Sequence, residues 1–393
     1  MSMRALLTPT ITLVLTAVAT HAQQASITPL PGYNTAPNAV SADGRTVAGS
    51  GGATAIKWTA TTGLTELPRL PGYITNALGI SDDGLVIVGG AGSNSYRSQA
   101  CRWDYAGITL IGGSDCVASS SDGSTLVGNQ RTPGPPFPNT VRAVRWTTDP
   151  GLQPLAQPTG FSSSDAMDVS ANGAVVVGSA INPGYPSQAV MWTASGEVQL
   201  LFPNPNGATY AIAKKVSADG QVVVGSIGYP GYVRGFRWTA DEGLIYVDSA
   251  SLMFQASSVS ASGAIIVGND GGSNAMRCSG NSGAISLKSY LQSRGADLSG
   301  WSQVTDATDV SADGKIIVGR GTFNGQPTGF IAFAPLECPG DLFIDSVVNG
   351  ADLGVLLSQW GPAGAGTVGD INRDGRVDGA DLGTLLSNWG PCP

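Results

Sequence analysis

A five-residue frame recurs seven times along this chain: VSADG at Val40, ISDDG at Ile80, SSSDG at Ser119, VSANG at Val169, VSADG at Val216, VSASG at Val259 and VSADG at Val310. Its glycines fall at 44, 84, 123, 173, 220, 263 and 314, so the period runs from 39 to 51 residues. After each frame comes an apolar run ending in Gly, such as VVVG (222–225) or IIVG (316–319). A piece such as AIKW or AVRW follows, with Trp at 58, 103, 146, 192 and 238, and then one such as GLTEL or GLQPL. Asp-Gly between β-rich runs signals a hairpin, because both residues tolerate positive φ. Four short strands per unit at this period describe a β-propeller blade.

The ends of the repeat give a sharper test. The last unit has the first three pieces, ending in GFIAFAP (329–335), but lacks the fourth. An orphan fourth piece, ITPL (27–30), stands before the first complete unit. Pairing the two makes seven full blades and removes an open sheet edge that would invite aggregation. The expected fold is therefore mainly β, a seven-bladed propeller over 23–335 whose last blade is completed by the N-terminal strand. A linker at 336–337 would lead to a small helical domain at 338–393.

The unit S-x-D-G…VVG…A-x-R-W…GLxxL resembles the HAF family of extracellular repeats, over residues 26–335. Blade 6 departs from the pattern with Cys278 in place of Trp, and blade 7 with Ala332 and Phe333. The repeated Trp read as wedges between blades. The repeated Asp43, Asp83, Asp122, Asp219 and Asp313 read as turn residues that bind their own backbone. Function would then sit on the longer, non-repeated loops, 129–142, 180–188 and 226–234, whose Tyr, Phe and Pro could stack on a glycan or a peptide.

The first residues, MSMR followed by the apolar ALLTPTITLVLTAVA and then THAQQ, read as a secretory leader cut after Ala22 or, alternatively, after Ala19. The mature chain would be secreted, extracellular or surface-bound, with no integral membrane segment. It would also lack the single histidine, His21. A net charge of −8 without a basic cluster argues against nucleic acid. Export permits disulfides. Cys338 and Cys392 bracket the tail and suggest a staple, Cys101 and Cys116 could close a short loop, and Cys278 is left over.

In a chain with only 12% charged residues, GDINRDGRVDGAD (369–381) is dense in oxygen ligands. It matches the loop that places calcium ligands at positions 1, 3, 5, 7, 9 and 12 with Gly at 6. The ligands would be Asp370, Asn372, Asp374, the carbonyl of Arg376, Asp378 and Asp381, with Gly375 at the turn. An upstream copy aligns Asp341, Asp345, Val347, Asn349 and Asp352, but Phe343 and Ser346 replace a ligand and the turn glycine, so calcium there should be weak or absent. An apolar stripe follows each loop: Leu353, Leu356, Leu357 and Trp360, then Leu382, Leu385, Leu386 and Trp389. Loop then helix, twice, resembles the type I dockerin domain. That resemblance implies calcium as cofactor and a cohesin-like or other cell-surface protein as partner. Family recognition leans on loop positions 10 and 11, which here are Gly-Ala in both copies (350–351 and 379–380).

Acyl-transfer and general-base chemistry commonly use His. The four Glu, at 66, 197, 242 and 337, are spread along the repeats and linker rather than gathered. The S-x-D-G turn also lacks the spacing of the sialidase S-x-D-x-G-x-T-W box. The expectation is a non-catalytic binding or display protein. The alternative is a polysaccharide-active hydrolase or lyase on the same tail.

Overall fold

The computed structural model describes residues 24–32, 34–93, 98–132, 140–182, 184–247, 253–279, 283–335, 338–342, 347–363, 367, 369–372 and 376–391. The proposed leader (1–22), the linker (336–337), Asp345, Asp374, Gly375 and Cys392 lie outside these residues. Among the described residues, no helix is long and apolar enough to cross a membrane. The chain divides into a unit Ala25–Pro335 and a second that contains Leu336–Pro393.

The larger unit is a seven-bladed propeller of four-stranded antiparallel sheets. Within each blade we name the strands A to D from the axis outward. The A strands are Thr35–Val40, Ile74–Ile80, Asp115–Ser119, Ser163–Val169, Tyr210–Val216, Gln255–Val259 and Trp301–Val310 for blades 1 to 7. Blade 7 takes its D strand from Ser26–Pro29, which pairs antiparallel with Gln326–Phe333 in the register Ser26↔Phe333 and Pro29↔Phe330. The Thr35 hydroxyl reinforces this seal by accepting from Gly329 N at 3.0 Å. The two ends of the repeat array thus complete one sheet.

The recurring frame is explained by one turn. In blade 1, Ser41 Oγ accepts from Thr46 N at 3.0 Å and donates to Asp43 Oδ1 at 2.7 Å, while that same oxygen accepts from Arg45 N at 3.0 Å. Equivalent bonds recur at Ser81, Ser120, Ser217 and Ser311, and Asn172 takes the Asp place in blade 4. The turn glycine answers two constraints at once. Gly173 has φ +72°, and a Cβ there would stand 2.6 Å from Thr125 Oγ1 of the preceding blade.

Between these turns runs a closed girdle of backbone bonds. Ala42 N donates to Asp82 O, Asp82 N to Ser121 O, Ser121 N to Ala171 O, Ala171 N to Ala218 O, Ala218 N to Ala261 O, Ala261 N to Ala312 O, and Ala312 N back to Ala42 O, all within 2.9–3.1 Å. Every donor points to the next blade, so the ring has one sense. This is the work of the variable residue in S-x-D-G, whose side chain is free to change because only its peptide group is used.

Each A strand also carries a register shift one residue wide, for example between Ala166 and Asp168 and between Ala213 and Lys215. Such a bulge twists the strand and re-aims the next side chain. It also brings the strands close, so a Cβ on Gly178 of strand B would lie 1.9 Å from Asp165 O.

Trp103 and Trp192 act as wedges whose indole N–H groups donate back to Pro68 O and Ala156 O of the preceding blades, both at 2.7 Å. In blade 6 the smaller, buried Cys278 fills the wedge position. The longest spacing, between blades 6 and 7, is absorbed by helix α1 (Leu287–Ser293), which the repeat pattern does not announce. It buries Leu287, Tyr290 and Leu291, and the Tyr290 hydroxyl donates to Pro335 O.

The second unit contains helices α2 (Gly350–Ser358) and α3 (Gly379–Ser387). Its two halves exchange strands reciprocally. Val347–Val348 before α2 pairs with Gly390–Pro391 after α3, and Arg376–Val377 before α3 pairs with Gly361–Pro362 after α2. The core joins Cys338, Val348, Leu356, Val377 and Leu385.

Candidate functional site

In the tail, Asn349 and Asp378 cap α2 and α3, accepting from Ala351 N at 2.7 Å and Ala380 N at 2.9 Å. Three residues on, Asp352 and Asp381 return the bond, accepting from the capping residues' own amides at 2.8 and 2.9 Å. These reciprocal pairs are capping boxes. Asp381 also draws the loop inward, its Oδ1 accepting from Ile371 N at 2.7 Å and Asn372 N at 3.1 Å. Burial pushes the Asp381 carboxyl up, but the amides of Asp378, Asn372 and Ile371 together outweigh it and hold it below its ordinary value.

The donor set of Asp370, Asn372, the Arg376 carbonyl, Asp378 and Asp381 is oxygen only, which suits a hard cation. Asp381 already closes the start of the loop onto the first turn of α3, as a central ion would require. Asp378 turns its Oδ1 to the helix, and Asp374 lies outside the described residues. Among the described residues no three carboxylates, thiols or imidazoles converge as a metal site. In the upstream copy, Asn349 and Asp352 form the capping box, Val347 lies in a strand, Asp341 is partly buried, and Asp345 lies outside.

The expected apolar stripes divide. Leu356 and Leu385 are buried, whereas Leu357 (53% exposed), Trp360 (50%), Leu386 (51%) and Trp389 (50%) face outward. Helices this short cannot bury a stripe so wide against one partner.

Cys338 is disulfide-bonded, and Cys392, named as its partner above, lies outside the described residues. The suggested Cys101–Cys116 bridge is corrected: both are free, buried thiols. Strand alternation is the reason. Ala100 faces blade 3 and packs with Cys116, while Cys101 turns the other way, among Ala48, Ala55 and Trp103. Burial raises the Cys101 thiol to about 12 and the Cys278 thiol to about 11, so neither is a ready nucleophile.

The propeller axis holds polar residues that the repeat concealed. The ring position just after each bulge reads Ala39, Gly79, Ala118, Asp168, Lys215, Ser258 and Asp309 from blade 1 to blade 7. These residues line a cavity of about 110 Å³ that continues to Asp82 and the girdle. Asp168 accepts from Val216 N at 3.0 Å and from Lys215 Nζ at 3.4 Å. Asp309 accepts from Val40 N at 2.8 Å and from Ser258 Oγ at 2.5 Å. Burial pushes Asp168 up against the pull of Lys215. For Lys215, burial works against the charge, but Asp168, Asp309 and Asp82 outweigh it and raise its pKa. On the same strands, burial also raises Asp165 and lowers Lys214, and Asp306 accepts from Asn269 Nδ2 at 2.9 Å. The sequence signal was the pair DAMDVS (165–170) and DATDVS (306–311), set against AKKVS at 213–217.

The repeated turn aspartates are bound as expected. The amide of Ser124, then the hydroxyls of Ser124 and Ser120, hold Asp122 at about 2. Glu66, Glu197 and Glu242 are exposed on separate blades, with Glu242 paired to Arg237. They form no common site. Of the three aromatic loops, 226–234 gives an ordered cluster. The Tyr229 and Tyr232 rings stack at 4.8 Å, the Tyr229 and Tyr246 hydroxyls meet at 2.8 Å, and Arg234 lies 3.6 Å over the Tyr246 ring. Residues 133–139 and 183 of the other two loops lie outside the described residues, and Tyr185 is exposed.

No family model and no curated relative matches the chain. Among solved structures it is similar to an oligogalacturonate lyase from Vibrio parahaemolyticus, at TM-score 0.52 and 14% identity, over 79% of this chain and 91% of that one. A prolyl endopeptidase gives TM-score 0.50 and 10% identity, over 81% of this chain and 51% of that one. TolB from Acinetobacter baumannii gives TM-score 0.41 and 16% identity, over 54% of this chain and 53% of that one, about half its length. What the lyase and the endopeptidase share with this chain, at such identities, is the fold alone.

Proposed function

We propose that this chain is an exported, non-catalytic binding or display propeller, held at its station by a calcium-dependent, dockerin-like tail. The observation that carries the reading is the duplicated tail. Two oxygen-rich loops, each feeding a capped helix, interlock by strand exchange and leave Leu357, Trp360, Leu386 and Trp389 outward. Paired apolar residues on a small unit suit docking onto a cohesin-like or other cell-surface protein. Calcium at 370–381 would tie the loop to α3 and lend folding free energy to a core too small to be stable alone. The stacked tyrosines of blade 5 supply a platform for a glycan or peptide.

A second reading, a polysaccharide-active enzyme, is favoured by the gathering of Asp168, Asp309 and Lys215 on the axis. Against it, each carboxylate already makes structural bonds between blades, Asp168 with Val216 N and Lys215 Nζ and Asp309 with Val40 N and Ser258 Oγ, which accounts for both without a catalytic role.

The test uses the full chain. Calcium titration calorimetry should give a Kd between roughly 10⁻⁶ and 10⁻³ M, lost in Asp370→Ala. Retention on cell-envelope fractions should require calcium and be released by a chelator. Equal retention in calcium and in chelator would end the attachment reading. Release of reducing ends from envelope polysaccharide would replace the binding reading with the enzymatic one.

A further inference from the structure

We propose that the girdle end of the axial channel binds a small molecule through its ammonium group, with Asp309 as the anchoring carboxylate. This goes beyond the attachment reading, which concerns the tail alone.

The channel wall is most uneven at the ring position after the bulge. Blades 4 to 7 contribute Asp168, Lys215, Ser258 and Asp309, whereas blades 1 to 3 contribute Ala39, Gly79 and Ala118. The small residues leave space beside the polar ones. The resulting cavity, about 110 Å³, is somewhat smaller than the roughly 150 Å³ that accommodates benzene, so it suits a ligand of about four or five non-hydrogen atoms.

Charge selects the ligand. Asp168 and Asp309, both buried, line the cavity with one lysine, leaving an excess of negative charge where water is scarce, and the exposed Asp82 adds a third carboxylate to the lining. Lys215 shows what the excess accepts: it is an ammonium on a flexible stem, lying 3.4 Å from Asp168 and held charged by all three carboxylates. Asp309 is bound only by neutral donors, Val40 N and Ser258 Oγ. A second ammonium against Asp309 would complete the pairing that Lys215 makes with Asp168.

An ammonium fits better than a metal ion. Among the described residues the acids do not converge on one point. The oxygens of Asp168 and Asp309 each have one donor already, leaving single lone-pair directions rather than a six-oxygen shell.

The experiment takes the full chain with n-butylammonium, which matches the lysine side chain in length, and n-butanol and potassium as controls. Butylammonium should raise the melting temperature of the propeller and bind measurably by saturation-transfer NMR, with both controls inert. Asp309→Asn should weaken binding by about tenfold. Lys215→Ala, which leaves Asp168 without its cation, should be destabilised and regain stability in butylammonium but not in butanol. Equal response to butylammonium and to either control overturns the proposal. So does unchanged affinity in Asp309→Asn. If that variant fails to fold, absence of rescue in Lys215→Ala overturns it instead.

Discussion

Ala312 N donates to Ala42 O at 3.0 Å, joining the last blade to the first in the same way that every other neighbouring pair is joined. A second bond, Val40 N to Asp309 Oδ2 at 2.8 Å, crosses the same seam. Seven equivalent contacts with no distinguishable start or end are the physical content of the repeat.

Asp309→Ala strips acceptors from Val40 N and Ser258 Oγ, both buried. It should cost about 3 kcal/mol, the range for stranding buried donors. A urea midpoint unchanged from the natural chain would show the seam to be indifferent to this side chain.

Glycine positions separate crowding from backbone preference. Gly178→Ala places a Cβ 1.9 Å from Asp165 O and should destabilise by about 3 kcal/mol, as overpacking against backbone does. Gly196 has φ +83° with nothing within 4 Å, so Gly196→Ala should cost only the left-handed conformation, about 1 kcal/mol. Thermal melts of the two variants should rank in that order.

The tail should lose stability in acid. The folded Asp381 carboxyl lies below its ordinary value, so its contribution is fully present above the unfolded pKa, near 4, and disappears as pH falls through the folded one. Asp43 and Asp219, lowered by their serine hydroxyls and then by backbone amides, add the same dependence to the propeller. Calorimetry between pH 5 and about pH 2 should show both units weakening, and Asp381→Asn should flatten the response of the tail and abolish its stabilisation by calcium.

Thiol counting tests the cysteine assignment. Cys101, Cys116 and Cys278 are buried and free, so the native chain should resist alkylation at pH 8. Unfolding without reductant should then expose those three and no more. Five reactive thiols would contradict the bonded state of Cys338.

Much of this architecture is legible in the residues themselves. The S-x-D-G turn needs its Ser, Asp and Gly for local reasons, so it survives as a readable frame, and the orphan ITPL had to find a partner. Asp168, Lys215 and Asp309 were harder to see because their ring position carries no shared structural duty. Without a common chemistry, their differences pass for ordinary variation. Helix α1 is hidden in the sequence because its buried residues, Leu287, Tyr290 and Leu291, give too short a periodic run. The Leu-Trp stripes of the tail were legible as helices, but which half turns inward depends on the strand exchange, a long-range event that local spacing does not encode.

The strand Ser26–Pro29 is among the first parts of the propeller to be synthesised, yet its mate, Gln326–Phe333, is among the last. A nascent chain must therefore carry this segment unmated until six blades have been made, and no shortened product can seal. Completion of the wheel is thus a built-in proofreading step: only a chain translated through its final repeat can hide both of its ends.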